Sequence, residues 1–278
     1  KECYQMRKVF LLITGLFASY SFADTASHVE STTAVNEYTA YQQFDRQYSL
    51  GYGINSGQLS ASGNSGNYDA SFINFNLERL FDMGLWMDVN AYLNVSYQQN
   101  PSVDQAVQLT GNLTGSDPQF GGLNAKVGYA FNLDNEHLLL TPYGEFGRNT
   151  NYSSYTMQGT STSNLVNNYY WTFGGGARLE YRLDEIFDFY LDQNILYNSS
   201  QAEMTQGLAQ ANFWNYRTTL GAKFNVWRKL QLGAQTFYNN YNYTSPLISA
   251  NPSSSSPTKE ALVPTNSVGG MISVGLTY

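Results

Sequence analysis

The chain has 278 residues, with 14 basic and 21 acidic side chains, a net charge of −7, 23 tyrosines and a polar mean hydropathy of −0.37. This acidic balance argues against nucleic acid as a partner, because neutralising phosphates needs a basic surface. Past the N-terminus no stretch reaches the ~18 consecutive apolar residues that mark a transmembrane helix, so only a closed barrel of strands could cross a membrane.

Met6-Arg7-Lys8 leads into the apolar run Val9–Ala18, with small residues at Ser21 and Ala23. A short basic region, an apolar run and a small-residue site read as a secretory signal cleaved after Ala23. A membrane anchor would need ~20 apolar residues. Residues Lys1–Gln5 read as an upstream remnant, so 1–23 is a processed leader. Cleavage removes Lys1, Arg7, Lys8 and Glu2, which leaves 11 basic and 20 acidic residues and a net charge of −9. It also removes Cys3, the single cysteine, so neither disulfides nor thiolate chemistry is expected.

Residues 24–43 lack alternation and read as an N-terminal lead, taken over a short helix at Thr33–Gln43 or a small plug. From Arg46 onward the pattern has period two, and 44–278 is read as the barrel. In 85–97, Leu85, Met87, Val89, Ala91, Leu93, Val95 and Tyr97 alternate with Trp86, Asp88, Asn90, Tyr92, Asn94 and Ser96. A helix would scatter both sets around its circumference, whereas a strand sorts them onto two faces. The same sorting recurs through 123–133, 171–181 and 214–226. Ten strands are predicted near 44–56, 67–80, 85–98, 120–133, 137–149, 166–182, 186–199, 211–227, 229–243 and 267–278. Eight or twelve would follow from a different reading of 24–45 and 229–266.

Tight connections at 81–84, 134–136, 183–185 and Arg228 alternate with long polar ones at 57–66, 99–119, 150–165, 200–210 and 244–266. Strict alternation puts all tight turns at one mouth of an up-and-down antiparallel barrel and all long loops at the other. The predicted fold class is therefore all-β, a transmembrane up-and-down antiparallel β-barrel of about ten strands. The polar faces carry Glu78, Asp88, Glu145, Glu180, Asp188 and Asp192 against Lys126, Arg178, Arg182, Arg217 and Lys223. Six acids and five bases lining a lumen are nearly neutral, which suits mutual pairing in a narrow barrel better than a selective channel. Phe81, Tyr181, Phe187, Trp227 and Tyr278 fall at the tight-turn ends of strands, and Tyr97, Tyr169, Tyr197 and Trp214 at the other, the expected aromatic girdles.

The last strand places Ile272, Val274, Leu276 and the terminal Tyr278 on one face. This stripe resembles the C-terminal recognition strand of bacterial outer-membrane β-barrel proteins, and the size and hairpin rhythm resemble the small OmpA-like and OmpX-like barrels. The resemblance implies a Gram-negative outer membrane, with long loops extracellular and the lead and termini periplasmic. It also implies outer-membrane lipid and lipopolysaccharide as surroundings, and the barrel-assembly machinery as a partner reading Ile272, Val274, Leu276 and Tyr278.

Ten strands also resemble the omptin proteases, which use acids and a histidine at the extracellular rim. Outer-membrane lipid deacylases and phospholipases, which use a serine–histidine pair, share the architecture. Here the histidines are His28 in the lead and His137 beside a tight turn, neither at the loop mouth, so catalysis is not expected. Loop acids Asp104, Asp117 and Glu203 lack the spacing of a calcium loop. Gly174-Gly175-Gly176 lies within a strand and reads as a bend or close packing, not a phosphate loop. Neither a cofactor nor a metal is expected. The function read from the sequence is a non-enzymatic envelope barrel whose loops, with Tyr152, Tyr155, Leu247 and Ile248, form a contact surface for an extracellular ligand the sequence does not identify. A narrow passive pore for small hydrophilic solutes or ions is the second reading, and an enzyme with an unrecognised site the third.

Overall fold

The structure is a computed structural model. It describes residues 38–278 apart from 62–63, 102–119, 135–136, 157–162, 203–211, 228, 244–247, 250–258 and 261–262. The strands are β1 (Arg46–Ala61), β2 (Asn64–Leu80), β3 (Leu85–Pro101), β4 (Phe120–Tyr129) and β5 (Phe131–Asp134). They continue as β6 (Leu138–Thr156), β7 (Ser163–Arg182), β8 (Phe187–Ala202), β9 (Phe213–Trp227) and β10 (Leu230–Tyr243). The short pair β11 (Ile248–Ser249) and β12 (Lys259–Glu260) precedes β13 (Val263–Thr277).

β4 and β5 run in line past Ala130 and both pair with β6, while β1 pairs with β2 on one side and β13 on the other. The sheet therefore closes into a ten-stranded antiparallel barrel, with β11 and β12 forming a separate two-stranded patch. Closure leaves no sheet edge, the condition for strands to sit in lipid.

The predicted strands stand with small shifts at the tight-turn ends and real extensions at the other. β6 and β7 pair as far as Thr156↔Ser163, and β1 and β2 as far as Ala61↔Asn64. The connection expected at 57–66 is thus a hairpin with only residues 62–63 between its arms. Alternation fades there because neither face needs to be apolar, yet the backbone ladder continues. At 14–20 residues, most strands exceed the ~9–11 needed to span.

The tight turns have explicit local causes. Gly84 has φ +84°, a conformation L side chains rarely adopt, and its N–H closes the turn onto the Phe81 carbonyl at 3.0 Å. Asp184 accepts from the backbone N–H groups of Ile186 and Phe187, both at 2.7 Å, an Asx-type turn.

Residues 38–43, read from the sequence as the end of a lead, fold differently. Helix α1 (Thr39–Gln42) is a single turn whose flanks are inserted in the tight-turn mouth, with Tyr41 and Phe44 fully buried. Four residues cannot hold a helix alone. The turn persists because Tyr38 and Tyr41 pack with Leu80, Trp86, Ala130, Leu139 and Tyr143. The Tyr38 hydroxyl donates to the Ala130 carbonyl at 3.0 Å, at the break between β4 and β5. Residues 24–37, and with them His28, lie outside the described residues.

Candidate functional site

The two faces of the barrel differ completely. Outward positions form an exposed apolar belt that includes Leu50, Ile54, Leu93, Val127, Phe146, Leu191 and Leu220. A belt of that extent has no place in water and assigns the outer surface to lipid. Ile272, Val274, Leu276 and Tyr278 lie on this same face, exposed by 69, 51, 59 and 40 %. At the tight-turn end Tyr181, Phe187 and Trp227 are exposed, Tyr278 stacks on Tyr48 at 4.6 Å, and Arg79 lies over Phe81. Toward the other end Phe173, Tyr197 and Trp214 form an aromatic cluster with centroids 5.0–5.2 Å apart. The side chains of Tyr97 and Tyr169 lie outside the described residues.

All eleven charged residues that the alternation turns inward are buried or half-buried in the structure. The ladder makes some of them neighbours: Glu78 opposes Asp88, Asp88 opposes Lys126, Lys126 opposes Glu145, and Asp188 lies between Arg182 and Lys223. Other pairs join strands that are not adjacent, and these can meet only through the lumen. Arg178 on β7 reaches Glu78 on β2 at 2.9 Å, and Lys126 on β4 reaches Asp192 on β8 at 2.8 Å.

Glu78 is the hub. It accepts from Gln47 at 3.0 Å, the Trp86 indole at 3.1 Å and Lys223 at 2.8 Å, besides pairing with Arg178. Arg178 also pairs with Glu180 at 3.1 Å, and Lys223 pairs with Asp45. Four members of this layer, Glu78, Arg178, Glu180 and Lys223, are exposed by only 1, 4, 0 and 4 %. Tyr190 lies beneath the Arg178 guanidinium at 4.1 Å and donates to Gln235 at 2.6 Å. α1 closes the mouth below: burial, reinforced by Glu180 and Asp188, pushes the Tyr41 hydroxyl above its ordinary range.

Glycine makes this filling possible. A Cβ on Gly176 would stand 2.7 Å from the Tyr143 hydroxyl, which lies across that glycine and donates to Asp192. Tyr190 lies in the same way over Gly221. Large inward rings are thus set against missing side chains at Gly176 and Gly221, while a Cβ on Gly174 or Gly175 would meet backbone carbonyls of the neighbouring strands.

Toward the loop end the inward face changes character. Tyr92 donates to Asn149 at 3.1 Å, Asn149 to Thr172 at 2.7 Å, and Thr172 to Asn198 at 2.7 Å, a chain across β3, β6, β7 and β8. Asn239 donates to Ser267 at 3.1 Å on the other wall. Arg217 lies over the Phe237 ring at 5.1 Å, and Phe237 packs at 6.0 Å from Phe72. Inward Asn90, Tyr92, Asn124, Asn149 and Arg217 are only half-buried, so they border free volume that Glu78, Arg178, Glu180 and Lys223 do not.

Sequence reasoning missed Asp45, Tyr41 and Phe44. Asp45 adds a seventh acid to the interior, and no alternation marks it because it precedes β1. His137 sits at the tight-turn end, its Nδ1 3.0 Å from the Arg182 carbonyl oxygen. Asp104, Asp117 and Glu203 lie outside the described residues, as do Leu247 and the side chains of Tyr152, Tyr155 and Ile248. Among the described residues no group of acids, cysteines and histidines could hold a metal ion.

No protein-family model and no curated protein sequence matches the chain. Among solved structures it is similar to the outer membrane protease OmpT from Escherichia coli, at 8 % identity and TM-score 0.45, over 84 % of this chain and 95 % of that one. It is similar to the translocator domain of the autotransporter NalP from Neisseria meningitidis, at 8 % identity and TM-score 0.45, over 98 % and 97 %. Neisserial surface protein A is similar at 11 % identity and TM-score 0.36, over 84 % and 98 %.

Proposed function

We propose that the chain is an integral outer-membrane barrel, sealed at its tight-turn mouth, that acts through its loop end and carries out no catalysis. The observation that supports this most is the buried layer of Glu78, Arg178, Glu180 and Lys223 with Tyr41 and Phe44 packed beneath it. Each ion there is matched by opposite charge and hydrogen bonds, which a dry interior demands. An aqueous path would have to break several of those pairs at once. In this reading the tight turns and both termini face the periplasm, as short turns do in outer-membrane barrels. Lipid and lipopolysaccharide surround the belt, and the Ile272–Tyr278 stripe is what the barrel-assembly machinery reads. His137, the histidine among the described residues, would lie at the periplasmic end, away from a surface-facing substrate.

Planar-bilayer recording of the purified full chain tests the seal: no resolved openings are expected, and stepwise conductance would establish the passive-pore reading instead. A membrane-impermeant maleimide tests the orientation on intact cells. With Cys3 replaced by serine, Asn67→Cys should label and Glu185→Cys should not, and the opposite pattern would invert the barrel.

A further inference from the structure

The interior is not uniformly paired. Among the described residues Lys126, Arg178 and Lys223 each meet a carboxylate within 4.0 Å, while Arg217 meets none. Its Nε is buried with no hydrogen-bond acceptor, and its guanidinium is held over the Phe237 ring at 5.1 Å. The barrel is rich in inward acids, yet they are committed elsewhere: Asp192 to Lys126 and Tyr143, and Glu145 to the amide of Asn194, the neighbour of Arg217 across the β8–β9 ladder, at 2.8 Å. Half-buried beside free volume, this guanidinium has donors open to a ligand that brings negative charge.

The loop-end half of the lumen around that level is chemically specific. The wall carries carboxamides and hydroxyls rather than acids, and several are incompletely used: Asn198 Nδ2, Asn74 Oδ1 and Asn215 Oδ1 are buried without partners. A guanidinium pairs best with a planar carboxylate, through two parallel hydrogen bonds. A primary amide presents both a donor and an acceptor, the complement of a ligand hydroxyl. The half-buried Phe72 ring suits the C–H side of the same kind of molecule. An apolar ligand would leave the amides unmatched, and a neutral one would leave Arg217 unmatched.

We propose that the loop-end half of the lumen is a binding cup for a small polyhydroxylated carboxylate, with Arg217 taking the carboxylate and Asn149, Asn198 and Asn215 taking hydroxyls. The cup rests on the sealed-barrel reading, since the charged layer is its floor.

The test is calorimetric titration of the refolded full chain in detergent with sodium glucuronate, glucuronate methyl ester and glucose. Saturable binding of glucuronate is expected, with the ester and glucose weaker by about tenfold or more, the worth of a hydrogen bond to a charged group. Arg217→Gln should bring glucuronate down to the level of glucose. No saturable binding of glucuronate would overturn the cup, and so would equal binding of acid and ester, a comparison that needs no mutant to fold. Conductance separates the two proposals. A barrel that conducts and still binds glucuronate refutes only the seal, whereas a silent barrel that does not bind refutes only the cup.

Discussion

The two halves of this lumen are built from the same ten strands and solve opposite problems. At the tight-turn end the central ions Glu78, Arg178, Glu180 and Lys223 are exposed by 4 % at most and are tied by contacts across the lumen and along β7. At the loop end the inward residues are asparagines, tyrosines and one guanidinium, of which Asn90, Tyr92, Asn124, Asn149 and Arg217 are half-buried. Charge fills space only when it is matched, and around Glu78 the matching comes from Arg178 and Lys223. Amides are cheaper to leave partly used and tolerate water, so the upper half can keep free volume. Strength of pairing, more than lumen width, separates the floor from the cup.

Breaking the floor should have the largest effect. Glu78→Ala leaves Arg178 and Lys223 each short of a buried partner and should cost about 3–5 kcal/mol, read as a lower urea midpoint for unfolding. A loss below about 1 kcal/mol would mean that water already reaches the layer and that the contrast between halves is false. A smaller loss is expected where the floor meets its plug. Gly84→Ala forces an alanine into φ +84° and brings its Cβ to 2.8 Å from the Tyr38 hydroxyl. It should cost about 1–2 kcal/mol and raise hydrogen exchange at the Ala130 amide, which donates to the Gly84 carbonyl. The smallest effect belongs to the cup: Asn149→Ala removes one link of the Tyr92–Asn149–Thr172 chain and should cost about 1 kcal/mol in the same urea experiment. If it costs as much as Glu78→Ala, the upper half is packed rather than open.

Much of this architecture was legible in the sequence, and the reasons are local. Period-two alternation in 85–97 and 214–226 assigns a face to each residue once the barrel is assumed, and Lys126, Arg178 and Lys223 could be turned inward from pattern alone. Gly84 and Asp184 mark turns because a positive φ and an Asx bond are properties of a few adjacent residues. The strand extensions at 57–61 and 150–156 were not legible, because a strand beyond the lipid needs no apolar face to keep its ladder.

The sequence by itself determined the strand rhythm, the two faces and the lipid-facing stripe at Ile272–Leu276, since these depend on residues two apart along one strand. Only the tertiary structure decided which inward charges meet. Glu78 and Arg178 are 100 positions apart, and their 2.9 Å contact exists because closing the sheet brings β2 opposite β7. The same closure seats Tyr41 and Phe44 in the mouth and leaves Arg217 without a carboxylate. Pattern records which way a side chain points; who stands across the lumen depends on how the ring is closed.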